Sequence, residues 1–521
     1  MAKPSCSGLD PSKRCPRLGD KRDELDSKLD PGIFPIGHPS NVELSRKDYR
    51  DDRLSNLPDD IVLNIVERLD TADATRTSIL SRRWKLIPAM LSKIVMTVGS
   101  FEPWHDNWSI LTFDDTVRAW ANGTMHEATR SILESRATSD LYTIQCVVCL
   151  EFYLGDEFTI LIGQTVANAM AAHKVASAEF TILTKVRARC TDDNLLTQGA
   201  QFMSFFDACP NAFGGLTRLS LERLRLGESQ FPKVFSICKQ LKDLRLYSCD
   251  MGSLSLLELE HPQLRKAEIA ACDFEMVDLK WLPKLTVLSF EYWFYKNDPF
   301  SLGYAPLLQS VSISNIGLSS HKVLKLSQLL AKASSISDLH LNFKCESIWV
   351  KPEGWKQLST VFHGLRYVKL MNISEECDLN WTMFILQGAP TLKELCVTVQ
   401  DHFCEIIRGV SRKSHGLSEE KKDKEVVNWE TSLGFKHTSL AVFRIFGFQA
   451  QEKFVSYIKS VVEAAVNLEK IYLHDKPLCR KCRRRVRRTS MYPRTWKHKS
   501  YIREEINKGT RPPVVGIHFL K

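Results

Sequence analysis

Leu216-Thr-Arg-Leu-Ser-Leu221 and, 25 residues further on, Leu241-Lys-Asp-Leu-Arg-Leu246 decide how this chain folds. Both read apolar-x-x-apolar-x-apolar, and the pattern recurs. It returns at Leu264/Ala267/Ile269, Leu285/Leu288/Phe290, Leu308/Val311/Ile313, Ile336/Leu339/Leu341, Leu365/Val368/Leu370 and Leu392/Leu395/Val397. Leu440/Phe443/Ile445 and Leu468/Ile471/Leu473 complete ten copies, whose starts lie 25, 23, 21, 23, 28, 29, 27, 48 and 28 residues apart. One copy marks any half-buried strand; ten at this spacing mark an array. A single strand with its return segment cannot bury its apolar face alone, so neighbours stack and the apolar residues fill one continuous interior. The reading is an α/β solenoid.

All intervals but the 48 fall at or near the 20–29 residues typical of leucine-rich repeats, whose parallel strands line a concave face. A weaker copy at Val175/Ala178/Phe180 and the apolar run Leu141–Leu154 extend the stack toward the N-terminus. The long interval holds a mixed-charge insertion beginning Arg408-Gly-Val-Ser-Arg-Lys, expected to leave the solenoid as a loop. Near the C-terminus, Tyr501-Ile-Arg-Glu-Glu-Ile-Asn-Lys-Gly predicts a short helix and Val514-Val-Gly-Ile-His-Phe a last strand.

Ahead of the repeats lies a different pattern. Pro58 follows Leu57 and precedes Asp59 and Asp60, residues that favour the first turn of a helix. Ile61, Ile65 and Leu69 then recur at helical spacing, with Val62 and Val66 widening the stripe. A second helical stretch starts near Thr71 and runs through Arg76, Ile79 and Leu80 to Trp84. So small a unit buries too little surface to be comfortable alone. It packs on the rest of the chain or offers an apolar face to a partner.

Leu54-Ser-Asn-Leu-Pro-Asp-Asp-Ile followed by Arg76-Thr-Ser-Ile-Leu-Ser-Arg-Arg-Trp resembles the F-box of plant-type F-box/leucine-rich-repeat proteins. Asp70 stands where that family commonly has proline, and Thr75 where it commonly has valine. The resemblance implies docking on a Skp-type adaptor, and through it on a cullin–RING ubiquitin ligase. It carries adaptor contact onto Leu54, Leu57, Pro58, Ile61, Ile65, Leu69, Ile79, Leu80 and Trp84. From about residue 360, Phe362-His-Gly-Leu-Arg-Tyr-Val-Lys-Leu, Gly388-Ala-Pro-Thr-Leu-Lys-Glu-Leu and Asn467-Leu-Glu-Lys-Ile-Tyr-Leu resemble the FBD-type region of the same family. The expected layout is a disordered leader over 1–50, the all-helical F-box over 51–97 and the solenoid over 98–475 (about 360–475 FBD-like). A basic tail over 476–521 closes the chain.

Composition bounds the function. Of 521 residues, 44% are hydrophobic and 25% charged, ordinary for a chain that builds a core. The first 30 residues lack an apolar centre, so no secretory signal is expected and the 15 cysteines read mostly as small core thiols in an intracellular protein, nuclear or cytoplasmic. No apolar run is long enough for a membrane helix. The net charge of +10 is local: eleven Lys or Arg residues and no acid lie between Lys476 and Lys499, leaving −1 elsewhere. Within that stretch Arg480, Lys481, Arg483, Arg484, Arg485, Arg487 and Arg488 form a candidate nuclear import signal. A scaffold that binds nucleic acid through this tail is the alternative reading, although no base-reading motif accompanies it.

Motifs for nucleotide binding, serine hydrolysis and zinc proteolysis are absent, so no catalytic residue is assigned. Cys146-Val-Val-Cys149 sits in an apolar run, and Cys479-Arg-Lys-Cys482 is a single pair among cations, short of the four ligands of a structural zinc site. Neither a metal nor a cofactor is assigned. The sequence thus predicts a non-catalytic receptor that holds a protein substrate for ubiquitination.

Overall fold

The structure is a computed structural model. It describes residues 57–520 apart from 70, 78–83, 85–89, 103–114, 137–145, 156, 185–189, 253–254, 294, 296, 317–322, 346, 401–433, 477–489 and 509–514. The expected leader, the insertion after Arg408, Leu54, Ile79, Leu80, the Cys479/Cys482 pair and all seven residues of the candidate import signal lie outside the described residues.

Two short helices open the described chain, α1 (Asp59–Val66) and α2 (Thr71–Arg76). A single parallel sheet of 14 strands follows. Its first three strands are β1 (Lys93–Thr97), β2 (Val147–Tyr153) and β3 (Ser177–Leu183). The ten apolar repeats supply β4 (Leu216–Glu222), β5 (Asp243–Tyr247), β7 (Lys266–Ala270), β9 (Val287–Glu291), β11 (Ser310–Ser314), β12 (Asp338–Asn342), β13 (Tyr367–Ser374), β14 (Glu394–Gln400), β15 (Val442–Phe446) and β16 (Lys470–His474). The last is β17 (Gly516–Leu520), paired to β16, so the strand expected at the C-terminus is a rung of the solenoid.

Register explains why the pattern works. Leu244 lies opposite Ala267 and Leu246 opposite Ile269; Leu339 lies opposite Val368 and Leu341 opposite Leu370. The same two positions run on to Ile445 opposite Leu473. All these side chains are buried, because period-2 alternation places both apolar positions of each strand on the inner face.

Repeat length sets the return element. The intervals of 23, 21 and 23 residues contain short strands, β6 (Leu256–Glu260), β8 (Met276–Trp281) and β10 (Phe300–Tyr304), joined in a second parallel sheet. The intervals of 25 to 29 residues contain helices. A strand advances about 3.3 Å per residue and a helix about 1.5 Å, so travelling back along a five-residue strand takes about five residues extended but about eleven helical. Short repeats have room only for the strand.

The helices, numbered on from α2, are α3 (Asp115–Ser135), α4 (Glu157–Ala171), α5 (Asp192–Ala208), α6 (Pro210–Gly214), α7 (Gln230–Ile237), α8 (Leu326–Leu329), α9 (Trp355–Phe362), α10 (Met383–Gly388), α11 (Glu452–Ala464) and α12 (Trp496–Asn507). Around α4, α5 and α6 the wide turns are filled by interlocking rings of Phe152, Phe180, Phe205 and Phe213. At the other end α12 packs its buried Ile502 and Ile506 toward α11.

Two histidines repeat one device. His261 and His437 are buried just before a strand; each ring accepts a backbone N–H at Nδ1 (Gln263, 3.2 Å; Leu440, 3.0 Å). Each then donates from Nε2 to a carbonyl of an earlier turn (Cys238, 3.0 Å; Ala389, 2.9 Å). Accepting at Nδ1 fixes the neutral tautomer, and burial pushes both imidazoles below their ordinary range. Cys249 and Cys272 stand where this repeat class takes Asn or Cys, and their thiols face carbonyls of Tyr247 and Ala270.

Candidate docking and recognition surfaces

Helix α1 divides the apolar stripe in two. Val62 and Val66 are 1% and 0% exposed and join the core, while Ile61, Ile65 and Leu69 remain 44%, 39% and 42% exposed. Leu57 is half-buried and Pro58 exposed at the N-terminal end of this row. Pro58 stands as N-cap, one position before the helix, and its carbonyl accepts from the N–H of Ile61 and Val62. Trp84, expected among the contact residues, is 4% exposed and belongs to the internal core, so it supports the unit from within. A helical stripe wider than one packing face reads as a single surface in sequence; packing against the chain decides which part stays outside.

The helical unit is joined to the solenoid at the sheet's first edge. An edge strand presents unpaired N–H and C=O groups that need cover. The buried Thr71 hydroxyl accepts the Val95 N–H of β1 at 2.9 Å, and the Glu67 carboxylate accepts the Ser92 N–H at 3.1 Å. The segment 93–97, expected to end the F-box, is therefore the first strand of the long sheet. Neither Thr71 nor Glu67 belongs to a recognisable motif, and sequence reasoning passed over both.

The open face of the long sheet falls into three zones. Toward the N-terminus charges are matched in place: Arg218 with Glu179 at 3.7 Å and Arg245 with Glu268 at 2.9 Å. In the middle, β9 and β11 carry Val287, Ser289, Ser310 and Ser312. Toward the C-terminus Arg444 is held by Glu394 at 2.6 Å and lies 4.2 Å over the Tyr472 ring, which stacks on His518; Phe446 stacks on His474 at 4.0 Å.

Among the described residues no group of three or more His, Cys, Asp or Glu could hold a metal, and no helix is long and apolar enough to cross a membrane. Cys146 is buried and Cys149 half-buried; burial pushes both thiols up, Cys149 to about 12, and keeps them protonated.

A short helical unit with a partly exposed apolar row, fused to the edge of a leucine-rich solenoid, defines the class of F-box/leucine-rich-repeat proteins. Comparison with known families agrees. A model of the At1g61320/AtMIF1 LRR domain matches residues 199–508, more than half of the chain, and an F-box domain model matches residues 54–93. The chain belongs to this family. The repeat model runs through the stretch read as FBD-like, and the F-box model ends where β1 begins.

Among similar proteins, F-box/FBD/LRR-repeat protein At5g56420 of Arabidopsis thaliana is 25% identical over 259 residues, 47% of this chain and 56% of that protein. F-box/FBD/LRR-repeat protein At3g52680 of the same organism is 26% identical over 224 residues, 42% and 45% of the two chains. F-box/LRR-repeat protein At3g58980, also of Arabidopsis thaliana, is 26% identical over 254 residues, 46% and 39%. The chain thus spans about half the length of the curated relatives it matches.

Proposed function

We propose that this protein is a non-catalytic substrate receptor of an SCF-type ubiquitin ligase. Its helical unit docks on a Skp-type adaptor, and the solenoid holds a protein substrate. One observation carries the reading: α1 and the turn after it keep Ile61, Ile65 and Leu69 partly outside while Val62 and Val66 are sealed in the core. Fully burying such a side chain is worth about 1.5–3 kcal/mol, so covering what remains exposed yields about 1 kcal/mol apiece. Leu57 and Pro58 extend the row.

The mechanism is positional. A substrate bound to the same rigid body as the docked adaptor meets the ubiquitin-charged enzyme at high effective concentration, and no bond is made or broken by this chain. The test is co-purification of the full chain with a Skp-type adaptor. Ile61→Asp/Ile65→Asp is expected to abolish recovery while leaving the chain folded, with a modest fall in its unfolding temperature, because neither side chain belongs to the sealed core. Undiminished recovery refutes the reading.

A further inference from the structure

The outer strands of the long sheet each present a row of backbone groups that can pair with a strand of another molecule. At the first edge the Thr71 hydroxyl and the Glu67 carboxylate accept the N–H groups of Val95 and Ser92. The last edge belongs to β17, and among the described residues no strand pairs with its outer side. The Gly516 N–H donates to the Glu469 carbonyl and the Leu520 carbonyl accepts from Asp475, so these groups face β16. Direction alternates along a strand, which leaves the N–H and C=O groups of Ile517 and Phe519 facing outward.

Two cations of α12 meet this outward side. Arg503 donates its Nε–H to the Ile517 carbonyl at 3.2 Å, and its guanidinium lies 5.1 Å from the centre of the Phe519 ring. Lys499, one turn earlier, lies 5.6 Å over the same ring. The helix is held in place for this from behind, since Ile502 and Ile506 are buried toward α11. On the other flank the buried Tyr492 ring stands edge-on to Phe519 at 6.2 Å, its hydroxyl 2.9 Å from the Leu520 carbonyl. Phe519 needs the cover. It lies opposite Leu473, which is sealed in the core, yet it is itself only half-buried because no described rung stacks on it.

We infer that Arg503 and Lys499 are an edge guard, which keeps the β17 end of one molecule from pairing with the β17 end of a second copy. Symmetry sets the occupant. Two copies of β17 related by a two-fold axis run antiparallel, so each meets the outward N–H and C=O groups of the other with its own, and the two Phe519 rings close on one another. With the guard in place that contact breaks the bond from Arg503 to Ile517 and brings two cations from each copy into one desolvated seam. Like charges brought together away from water oppose association, so the guard excludes the partner by repulsion as well as by occupying the edge. The two outer edges are thus closed by the same device in opposite senses, acceptors covering N–H groups at β1 and a donor covering a carbonyl at β17. The inference is independent of the receptor reading.

The test weighs the purified full chain by analytical ultracentrifugation at concentrations up to about 100 µM. Lys499→Met/Arg503→Met keeps aliphatic stems over Phe519 but removes both charges and the bond to Ile517. Its weight-average mass is expected to rise toward about twice that of wild type as concentration increases. Adding Phe519→Pro to this variant deletes an N–H that faces outward and none that β16 uses, so it is expected to restore the wild-type mass. A Lys499→Met/Arg503→Met protein with the mass of wild type overturns the inference. Association that persists after Phe519→Pro overturns it too, because the contact then does not run through the β17 edge. A wild-type dimer that Phe519→Pro dissociates shows that the edge is unguarded and refutes the inference as well. Should the double variant fail to fold, Arg503→Gln decides instead: with one charge gone the mass must rise at high concentration, and a mass equal to wild type refutes the guard.

Discussion

Replacing Thr71 by valine removes one oxygen atom from the joint between the helical unit and the solenoid, and little else. The side chain is buried, the two residues are nearly isosteric, and the lost group is the hydroxyl that accepts the Val95 N–H at 2.9 Å. A donor left without its partner costs about 1–3 kcal/mol when buried. Val95 is itself 44% exposed, so water reaches part of β1 and the lower end, about 1 kcal/mol, applies. Spread over the whole chain that loss is hard to see, but at the sheet edge it is concentrated. Local opening of β1 is expected to become about fivefold more frequent in Thr71→Val, since each 1.4 kcal/mol is a factor of ten. Hydrogen exchange of peptides spanning 90–98 reads this directly, with the β12–β14 peptides as internal reference. Adaptor recovery is expected to persist, because Ile61, Ile65 and Leu69 are untouched. Unchanged protection of residues 93–97 would show that the hydroxyl does not hold the edge.

Two further predictions concern the solenoid. His261 and His437 have folded-state pKa values below that of an unfolded histidine, so below about pH 6.5 the unfolded chain takes up protons that the native chain refuses. Stability is therefore complete above that pH and falls as the pH drops, by up to about 1.36 kcal/mol per unit for each ring. Urea midpoints at pH 7.5 and 5.5 measure it; His437→Gln should shrink the difference, and an identical difference in both proteins refutes the assignment. Gly447, at the end of β15, has φ +83°, and a Cβ there would lie 2.1 Å from the Val399 carbonyl oxygen. Gly447→Ala is expected to cost about 2–4 kcal/mol, combining left-handed strain with overpacking, and an unmoved unfolding midpoint counts against it.

Most of the ladder is visible in the sequence because the leucine period is a direct image of the strand register. β1 shows how such a signal is lost. Leu91, Ile94 and Met96 fit the repeat pattern and are all buried, yet they lie inside the stretch that the F-box resemblance claims. The division of α1 into an inner and an outer apolar row is not visible, since Ile61/Ile65 and Val62/Val66 lie within one helical stripe and only tertiary contacts separate them. Trp84 is misassigned to the docking surface for the same reason. The open face, by contrast, is written in the variable positions of the repeats, whose central row mixes Thr181, Ser220, Ser289, Ser312 and Cys396 with long side chains. A search for apolar periodicity discards those positions.

The joint at β1 gives this arrangement a functional consequence. Thr71 and Glu67 bond the helical unit directly to the sheet edge, so the apolar row and the open face of the sheet are joined without an intervening linker. In the strand order β1-β2-β3-β4-β5-β7-β9, six spacings separate the edge from β9, near the middle of the open face. At about 4.8 Å each, that is about 29 Å along the sheet. Under the receptor reading proposed above, a fixed separation restricts which substrate lysines can reach the ligase, where a flexible linker would spread them over a wide volume. Weakening the joint should then relax the choice of lysine without weakening adaptor or substrate binding. In a reconstituted ligase acting on an identified cargo, Thr71→Val/Glu67→Gln is expected to broaden the set of ubiquitinated lysines mapped by mass spectrometry. A pattern identical to wild type would mean that the geometry is set elsewhere in the complex.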